Sequence, residues 1–293
     1  MHFIVYCLVY PVIWFISILP FRLLYFISDF FFIIIYYIIG YRKKIVLKNL
    51  ELAFPEKSLS DILKIRKKFY RHFVDIFIEM IKTFTISKKT INKHYTYKNI
   101  ELIQELKKDG KSVILMSAHY ANWEWIIGMN TFINYNAIAV YTKLTNKYFN
   151  NKLLKTREKF GVTLSQSSKI IPIISQNYKN NIQSIYGLLS DQSPQLRGNL
   201  YWTEFLNVKV PFHTGGEMLA KKYNLNIVFL DTKKIKRGYY ETTFSILTND
   251  ANKHQKYELT EIYLRKVEEQ IKSKPEFYFW THKRFKHKDK APN

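Results

Sequence analysis

The first 40 residues are almost uninterruptedly apolar. Residues 3–21 contain no charged side chain, and residues 23–39 contain only Asp29. A helix that crosses a bilayer needs about 20 apolar residues, so each run is marginal alone and the two together exceed one span. Prolines inside the first run kink or break a helix. The pattern predicts a membrane anchor over residues 1–40, as one tilted span or a shallow helical hairpin.

The segment that follows the anchor is basic, with Arg42, Lys43, Lys44 and Lys48 close together. Basic flanks stay on the cytoplasmic side of a membrane, so we expect residues 41–293 to face the cytoplasm at the inner (cytoplasmic) membrane. The same side chains attract anionic headgroups by about 1 kcal/mol each. A cleaved signal peptide fits badly, because no basic segment precedes the apolar run and no small-residue cleavage site follows it.

Beyond the anchor the hydrophobic period changes. Residues 47–84 have apolar positions three and four apart, which predicts mainly helix, with Ser58 or Ser60 as its cap. Short apolar runs of strand length then alternate with helical segments. The clearest are a helix near 99–108, strands at 113–116, 136–141 and 184–189, helices at 123–132 and near 150–159, a helix and strand within 217–231, a strand near 239–247, and a last helix near 258–275. This alternation predicts an α/β fold, a mixed sheet flanked by helices, in one domain behind the anchor.

Composition adds a strong charge. The formal net charge is +23, with 47% hydrophobic and 24% charged residues, so the chain is not a disordered polymer. Nucleotide bias towards Lys, Asn, Ile, Tyr and Phe explains part of the charge. The rest indicates a partner with phosphates or carboxylates: nucleic acid, anionic lipid or an acidic carrier protein. The one cysteine, Cys7, lies in the anchor, which excludes an internal disulfide and a cysteine nucleophile in the domain.

The stretch "SVILMSAHYANWEWIIG", residues 112–128, carries the candidate chemistry. His119 falls in the turn after a predicted strand, where ligands collect in open α/β sheets. Glu124 falls in the first turn of the predicted helix, where the helix dipole favours a carboxylate. If Glu124 accepts a hydrogen bond from one imidazole nitrogen, the other nitrogen becomes a general base for a substrate hydroxyl.

Other catalytic patterns do not fit. The chain has no G-x-S-x-G elbow, no H-E-x-x-H and no clustered Cys and His. "DGKS" is similar to the end of a phosphate-binding loop, but the upstream glycine is replaced by Glu105. The residues therefore show no metal pattern.

"HYANWEW" resembles the H-x-x-N-W-E signature of the bacterial lipid A late acyltransferases, the lauroyl and myristoyl transferase family. One earlier block, "YRKKIVLKNLELAFPEKS" (41–58), is similar to the stretch that follows the membrane anchor in this family. Four later blocks are similar in order: "TREKFG" (156–161), "SDQSP" (190–194), "FLNVKVPFHTGGEMLA" (205–220) and "PEFYFWTHKRFK" (275–286). The resemblance covers almost the whole chain, and it implies a fold like that of the glycerol-phosphate acyltransferases.

The resemblance also implies a mechanism and partners. His119 deprotonates a hydroxyl of a lipid A precursor, Glu124 orients His119, and the oxygen attacks the thioester of an acyl donor. The usual donor in this family is acyl carrier protein, which is acidic and suits a basic surface. The phosphates of a lipid A precursor suit the same surface. The mechanism that the resemblance implies requires no metal or cofactor.

Five further positions are candidates for contact with substrate or with the oxyanion: Asn122, Lys143, Arg157, Asp191 and Gln192. Arg157 is also explained as a solvent-facing helix residue, and Asp191 as a turn former. Lys143 stands beside Thr142, where the family usually has an arginine, and Asn207 replaces a family glycine.

The C-terminal "THKRFKHKDK" is strongly basic. With Trp280 and Phe285 it is typical of an interfacial anchor or headgroup contact. Basic residues between aromatics also bind nucleic acid, but the apolar N-terminus argues against that function. His72, His213 and His282 have no partner pattern and are expected to be structural.

Two other functions remain open at this stage. The first keeps the chemistry and changes the acceptor to an amino-acid lipid, a phosphoglycolipid or an aryl polyene lipid. The second is a non-catalytic, basic, membrane-attached binding protein, which leaves the block 119–125 unexplained. Acyl chain length and the acylated position are not readable from the residues.

Overall fold

The computed structural model of the chain describes residues 1–198 and 200–292. The α-helices are α1 (His2–Ile18), α2 (Phe21–Ile33), α3 (Lys43–Ala53), α4 (Leu59–Lys82), α5 (Lys88–His94), α6 (Glu101–Lys108), α7 (Lys147–Glu158), α8 (Ile170–Lys179), α9 (Gly215–Tyr223) and α10 (Glu258–Ser273). The strands are β1 (Tyr95–Lys98), β2 (Val113–Ser117), β3 (Asn136–Tyr141), β4 (Val162–Gln166), β5 (Ser184–Leu189), β6 (Tyr201–Phe205), β7 (Val208–Phe212), β8 (Asn226–Lys236) and β9 (Tyr239–Thr248).

The main sheet has seven strands in the order β1-β9-β8-β2-β5-β3-β4. Neighbours are parallel except β8 and β9, which run antiparallel, so the predicted mixed α/β sheet flanked by helices is confirmed. Strands β6 and β7 form a separate antiparallel hairpin.

The central strand β2 explains why its sequence is an apolar run. All five of its residues are buried, as expected for a parallel strand covered on both faces. Side chains alternate across a strand: Ile114 and Met116 belong to the larger hydrophobic cluster, while Val113 and Leu115 belong to the smaller one. The sheet therefore separates two apolar layers.

Most predicted elements are confirmed. The helical period of 47–84 corresponds to α3 and α4, and the Oγ of Ser58 accepts from the amide of Asp61 at 3.2 Å, as an N-cap does. The segment 123–132 differs: it contains a 3₁₀ helix, Trp125–Thr131, rather than an α-helix. Strand β1, helix α8 and the β6–β7 hairpin were not predicted from the pattern.

The N-terminal helices lie against the domain. Every fourth residue of one α2 face and its continuation is buried: Leu24, Ser28, Phe32 and Tyr36. The Oγ of Ser28 donates to the carboxylate of Asp75 in α4 at 2.7 Å. This docked face is polar as well as apolar, which fixes the helix in one orientation on α4.

The other face of α2 is exposed and apolar, with Phe26, Phe30 and Ile33 each more than half exposed. A π-helical turn, Ile34–Ile39, continues the helix, and Phe21–Ile39 is long and apolar enough to cross a membrane by length and composition. Helix α1 is apolar but shorter, with 17 residues. The division into an anchor over 1–40 and a domain over 41–293 stays a prediction.

The C-terminal aromatic residues are buried, whereas the sequence predicted them at a membrane interface. Trp280 is fully buried, Phe285 is 4% exposed and Arg284 is 1% exposed. The indole N–H of Trp280 donates to the carbonyl of Pro275 at 2.6 Å, and its ring packs on Phe54. The expectation that Trp280 and Phe285 form an interfacial anchor is wrong, because both side chains fill the core behind the sheet.

Trp280→Ala is expected to lower the free energy of unfolding by roughly 3–5 kcal/mol, because it empties a fully buried site. Thermal unfolding of the purified protein measures the loss. The matched control is Trp14→Ala in α1, where the side chain is 48% exposed; it should leave the melting temperature nearly unchanged. An unchanged melting temperature for Trp280→Ala, with weaker vesicle binding, would restore the interfacial role.

Candidate active site

The ring of His119 pairs with Asp191. Its Nδ1 lies 2.8 Å from Oδ1 of the carboxylate. The pairing follows from strand register: β2 and β5 are parallel neighbours with Ser117 opposite Leu189. His119 and Asp191 each stand two residues past those ends, so the sheet brings them together at its carboxyl edge, where ligands bind in such sheets.

The carboxylate of Asp191 is only 1% exposed. Burial by itself would raise the pKa of Asp191, but the facing His119 ring and the hydrogen bonds that it donates hold that pKa below its usual value. A charged carboxylate only accepts hydrogen bonds, so Nδ1 of His119 carries the proton that is shared with Asp191.

The second ring nitrogen of His119, Nε2, is therefore an acceptor. No hydrogen-bonding partner for Nε2 occurs among residues 1–198 and 200–292, and the His119 side chain is 20% exposed. The ring stands against Trp123 and Phe279, with centroids 5.4 Å and 6.1 Å away. This is the geometry of a general base with its tautomer fixed by an acid.

Glu124 does not orient His119, and that prediction is wrong. Its carboxylate instead forms an ion pair with the guanidinium of Arg157 in α7. The reason is local: Ala121 has a left-handed backbone, φ +48°, and the 3₁₀ helix begins only after Glu124. The chain between the two residues thus lacks the helical turn that the prediction assumed.

Arg157 is likewise not the solvent-facing helix residue that was one of its two predicted roles. Its side chain is 8% exposed, and burial lowers the pKa of its guanidinium to about 10. The group remains charged at neutral pH. In this structure the carboxylate of Glu124 is the counter-charge of that guanidinium.

Asn122 is fully buried, which corrects its expected role as a contact for substrate or oxyanion. Its Nδ2 donates to Oε2 of Glu79 at 2.7 Å, and its Oδ1 accepts from the amide of Trp125 at 3.0 Å. Both polar ends are thus engaged inside the protein. Asn122 shapes the loop after β2 instead of facing a ligand.

Lys143 and Gln192 were also candidates. Lys143 is exposed after β3, and Gln192 is half-buried beside Asp191 in the loop after β5. Both follow strands of the main sheet, and neither contacts His119 among the described hydrogen bonds and ion pairs. Their roles stay predictions.

A group of residues behind Asp191 was not predicted. The amide of Ser193 donates to Nε2 of His282 at 3.0 Å, and the buried Arg284 donates to Oγ of Ser193 at 3.0 Å. Burial lowers the pKa of Arg284 to about 10. These contacts fix the loop that carries Asp191. In the sequence, His282 and Arg284 stand out only as members of the C-terminal block 275–286. That block does not indicate which residues they contact.

An apolar cavity of about 110 Å³ lies against the sheet, and Trp123, which packs on the His119 ring, is one of its lining residues. A single water needs roughly 15 Å³, so the space is several times larger, and few polar groups would hold water in it. Its walls come from β2, β3, β5 and the 3₁₀ segment, and include Ser117, Trp123, Ile127, Ala139, Gly187 and Leu188. Trp123 contacts the His119 ring and the cavity at once.

The described residues contain no group of three or more His, Cys, Asp or Glu placed to hold a metal. Nε2 of His119, which has no hydrogen-bonding partner in the described part of the chain, is placed so that it can accept a proton.

Two comparisons with known proteins found a matching family and similar sequences. Residues 1–287 match the family model described as bacterial lipid A biosynthesis acyltransferase. The chain is similar to the lipid A biosynthesis palmitoleoyltransferase of Escherichia coli K12, with 21% identity over 286 residues, covering 94% of this chain and 89% of that protein. The lipid A biosynthesis acyltransferase of Shigella flexneri shows the same identity and coverage.

Glu124→Gln is expected to act on stability through Arg157. It leaves a nearly buried guanidinium without its counter-charge, at a cost of roughly 2–4 kcal/mol after allowance for the partial exposure of Glu124. The double variant Glu124→Gln/Arg157→Met should cost less than the sum of the single variants. Thermal unfolding of the four proteins measures this coupling. If Glu124→Gln instead loses activity at unchanged stability, and Arg157→Met does not relieve the loss, the prediction that Glu124 orients His119 would be supported.

Proposed function

The chain belongs to the family of bacterial lipid A biosynthesis acyltransferases, and we propose that it moves a fatty acyl chain from an acyl carrier protein thioester to a hydroxyl of a lipid A precursor, with His119 as general base. Family membership supports an O-acyltransferase acting on lipid A. The donor, the base and the membrane placement are the proposal. The observation that carries it is the His119–Asp191 pair, 2.8 Å between Nδ1 and Oδ1, with Trp123 packed between the His119 ring and an apolar cavity.

The reaction needs one base and one positioned acid. Nε2 of His119 takes the proton of the acceptor hydroxyl while the oxygen attacks the thioester carbonyl carbon. Asp191 stabilises the imidazolium that forms. When the tetrahedral intermediate collapses, the C–S bond breaks and the thiolate takes the proton from His119. The products are an ester and the free thiol of the carrier. Arg157 stays a candidate for contact with the oxyanion or with a phosphate.

The acyl chain is proposed to lie in the apolar cavity. Trp123 joins the cavity to the base, so a chain that fills the cavity would place its carbonyl carbon beside His119. Each methylene moved from water into such a space contributes about 0.8 kcal/mol. A chain bound in this way pre-positions the carbonyl, which is a large part of the rate enhancement for a bimolecular transfer.

Acyl carrier protein is proposed as the donor because of charge. A net charge of +23 attracts an acidic carrier and speeds its encounter with the enzyme. Lys143, Lys283 and Lys286 are exposed and can meet its carboxylates. The same surface suits the phosphates of a lipid A precursor.

The membrane placement is argued from α1 and α2. Their outward faces are apolar and exposed, while the inward face of α2 is fixed on α4 by Ser28 and Asp75. Basic residues at 42–44 follow directly and favour an anionic leaflet. We place the exposed face in the inner membrane, with the remainder of the chain on the cytoplasmic side.

His119→Ala should abolish transfer, and Asp191→Asn should lower kcat roughly 10²–10⁴-fold, because each removes general base catalysis. The assay uses membranes, acyl-loaded carrier protein and a lipid A precursor. Mass spectrometry of lipid A from a deletion strain, complemented by wild type or by His119→Ala, identifies the acceptor in cells. Fully acylated lipid A in the deletion strain would move the proposal to another acceptor lipid. Full activity of His119→Ala would remove the base.

Gly187→Val should shift the preference towards shorter acyl chains. Gly187 lies in β5 on the cavity wall, and an added Cβ would meet Ala139 at 3.8 Å, an ordinary contact. Extra methyl groups there take cavity volume. Competition between donors of different chain length measures the shift. Gly215→Ala, where a Cβ would meet nothing within 4 Å, is the control. An unchanged preference in Gly187→Val would place the chain elsewhere.

A further inference from the structure

Glu79 is a buried carboxylate in α4 that the proposed chemistry does not use. It is 1% exposed and accepts hydrogen bonds from three separate elements. The hydroxyl of Tyr25 in α2 donates to Oε1 at 2.8 Å, while Nδ2 of Asn122 and the hydroxyl of Tyr240 in β9 donate to Oε2 at 2.7 Å and 2.8 Å. A carboxylate placed among three donors is satisfied on both oxygens.

One of these donors belongs to the loop that carries the base. Asn122 stands three residues after His119, and its Oδ1 accepts from the amide of Trp125. The loop between them passes through the left-handed Ala121, a conformation that non-glycine residues adopt only when the surroundings impose it. The amide of Ala121 donates to the carbonyl of Phe277 at 3.0 Å. The loop is thus held on one side by Phe277 and on the other by Glu79.

A second contact joins Glu79 to the same loop. The indole N–H of Trp125 donates to the backbone carbonyl of Glu79 at 3.2 Å and to Oγ1 of Thr83 at 3.0 Å. Trp125 is fully buried. The end of α4 therefore hydrogen-bonds to two residues of the loop. The side chain of Glu79 accepts from Asn122, and its backbone carbonyl accepts from Trp125.

Packing alone does not explain a carboxylate at this position. Burying one without need is costly, and an apolar side chain of similar volume usually gives equal or greater stability. Burial raises the pKa of Glu79 to about 7, against the opposing effect of Lys234 and with Asp75 adding to the rise. Glutamine keeps the shape of the side chain and one acceptor oxygen, so it is a close substitute that buries no charge.

We propose that Glu79 is a positioning residue of the acyl-transfer site, and that through Asn122 it holds the strained loop which sets His119 against Asp191. Tyr25 of the apolar helix α2 donates to the same carboxylate. The position of α2 and the orientation of His119 therefore both depend on Glu79. This inference rests on the proposed function for its catalytic consequence, but not for the structural one.

The test compares Glu79→Leu with Glu79→Gln. Leucine removes all three hydrogen bonds, and kcat should fall about 100-fold, the effect expected of a misplaced catalytic group, with little change in KM for the acyl donor, because the cavity is untouched. Glutamine should restore most of the rate, since its carbonyl can still accept from Asn122 and Tyr240. Asn122→Ala should reproduce the loss in kcat, and the double variant Glu79→Leu/Asn122→Ala should be no slower than the slower single variant.

The matched control is Glu268→Leu in α10. Glu268 is also a buried carboxylate, 5% exposed, and it accepts from Arg265 and from the amide of Leu206, away from the catalytic loop. It should lower the melting temperature without lowering kcat at a temperature where the protein is folded. Glu79→Leu behaving in the same way, with normal kcat, would overturn the positioning role and leave the proposed function intact.

A readout that needs no activity separates the two proposals. Hydrogen exchange at the amide of Trp125, which donates to Asn122, should accelerate at least tenfold in Glu79→Leu and remain near wild type in Glu79→Gln and Glu268→Leu, because a lost hydrogen bond opens the loop locally. Unchanged exchange in Glu79→Leu would overturn the inference. If exchange accelerates in Glu79→Leu but the wild-type protein transfers no acyl group, Glu79 would still be the residue that holds the loop, and the proposed function would be rejected.

Discussion

The candidate site depends on the register between two parallel strands, β2 and β5. Parallel pairing of β2 and β5 fixes Ser117 opposite Leu189, and equal extensions of two residues bring His119 to Asp191 at 2.8 Å. Because side chains alternate along a strand, a register shift of one residue would send one of the two to the other face of the sheet. The apolar runs that pair these strands therefore also set the alignment of the base.

Three carboxylates near the candidate site each have polar partners. Asp191 meets His119, Glu124 meets Arg157, and the carboxylate of Glu79 meets three donors. Buried ion pairs contribute little net stability, because desolvation offsets the attraction. Their common feature is that each one fixes the direction of a side chain or the path of a loop. The folded domain thus spends part of its hydrophobic stabilisation on holding polar groups in place.

The N-terminal helices belong to the same system. The face of α2 that meets α4 is polar as well as apolar, and Tyr25 of α2 donates to the same carboxylate that holds Asn122. An element that the sequence alone presents as a separable anchor therefore shares Glu79 with the loop that follows His119. The position of α2 and the shape of the candidate site both depend on this packed interface with α4.

The sequence by itself determined what local periodicity and motif can carry. The apolar runs at 113–116, 136–141 and 184–189 predicted β2, β3 and β5, the three-and-four spacing of 47–84 predicted α3 and α4, and the histidine motif selected His119. Asp191 was among the candidates for contact with substrate or oxyanion. These predicted strands and helices are confirmed, since each depends on neighbours within a few residues, whereas the catalytic role of His119 stays a prediction.

Only the tertiary structure decided the partners. The sequence spacing assigned Glu124 to His119, but Asp191, 72 positions away, holds the imidazole, and Glu124 turns to Arg157. Strand order, the left-handed turn at Ala121 and the burial of Trp280 are likewise set by contacts between distant segments. A single sequence shows which residues can bond, whereas the choice among possible partners belongs to the packing that minimises unpaired buried charge.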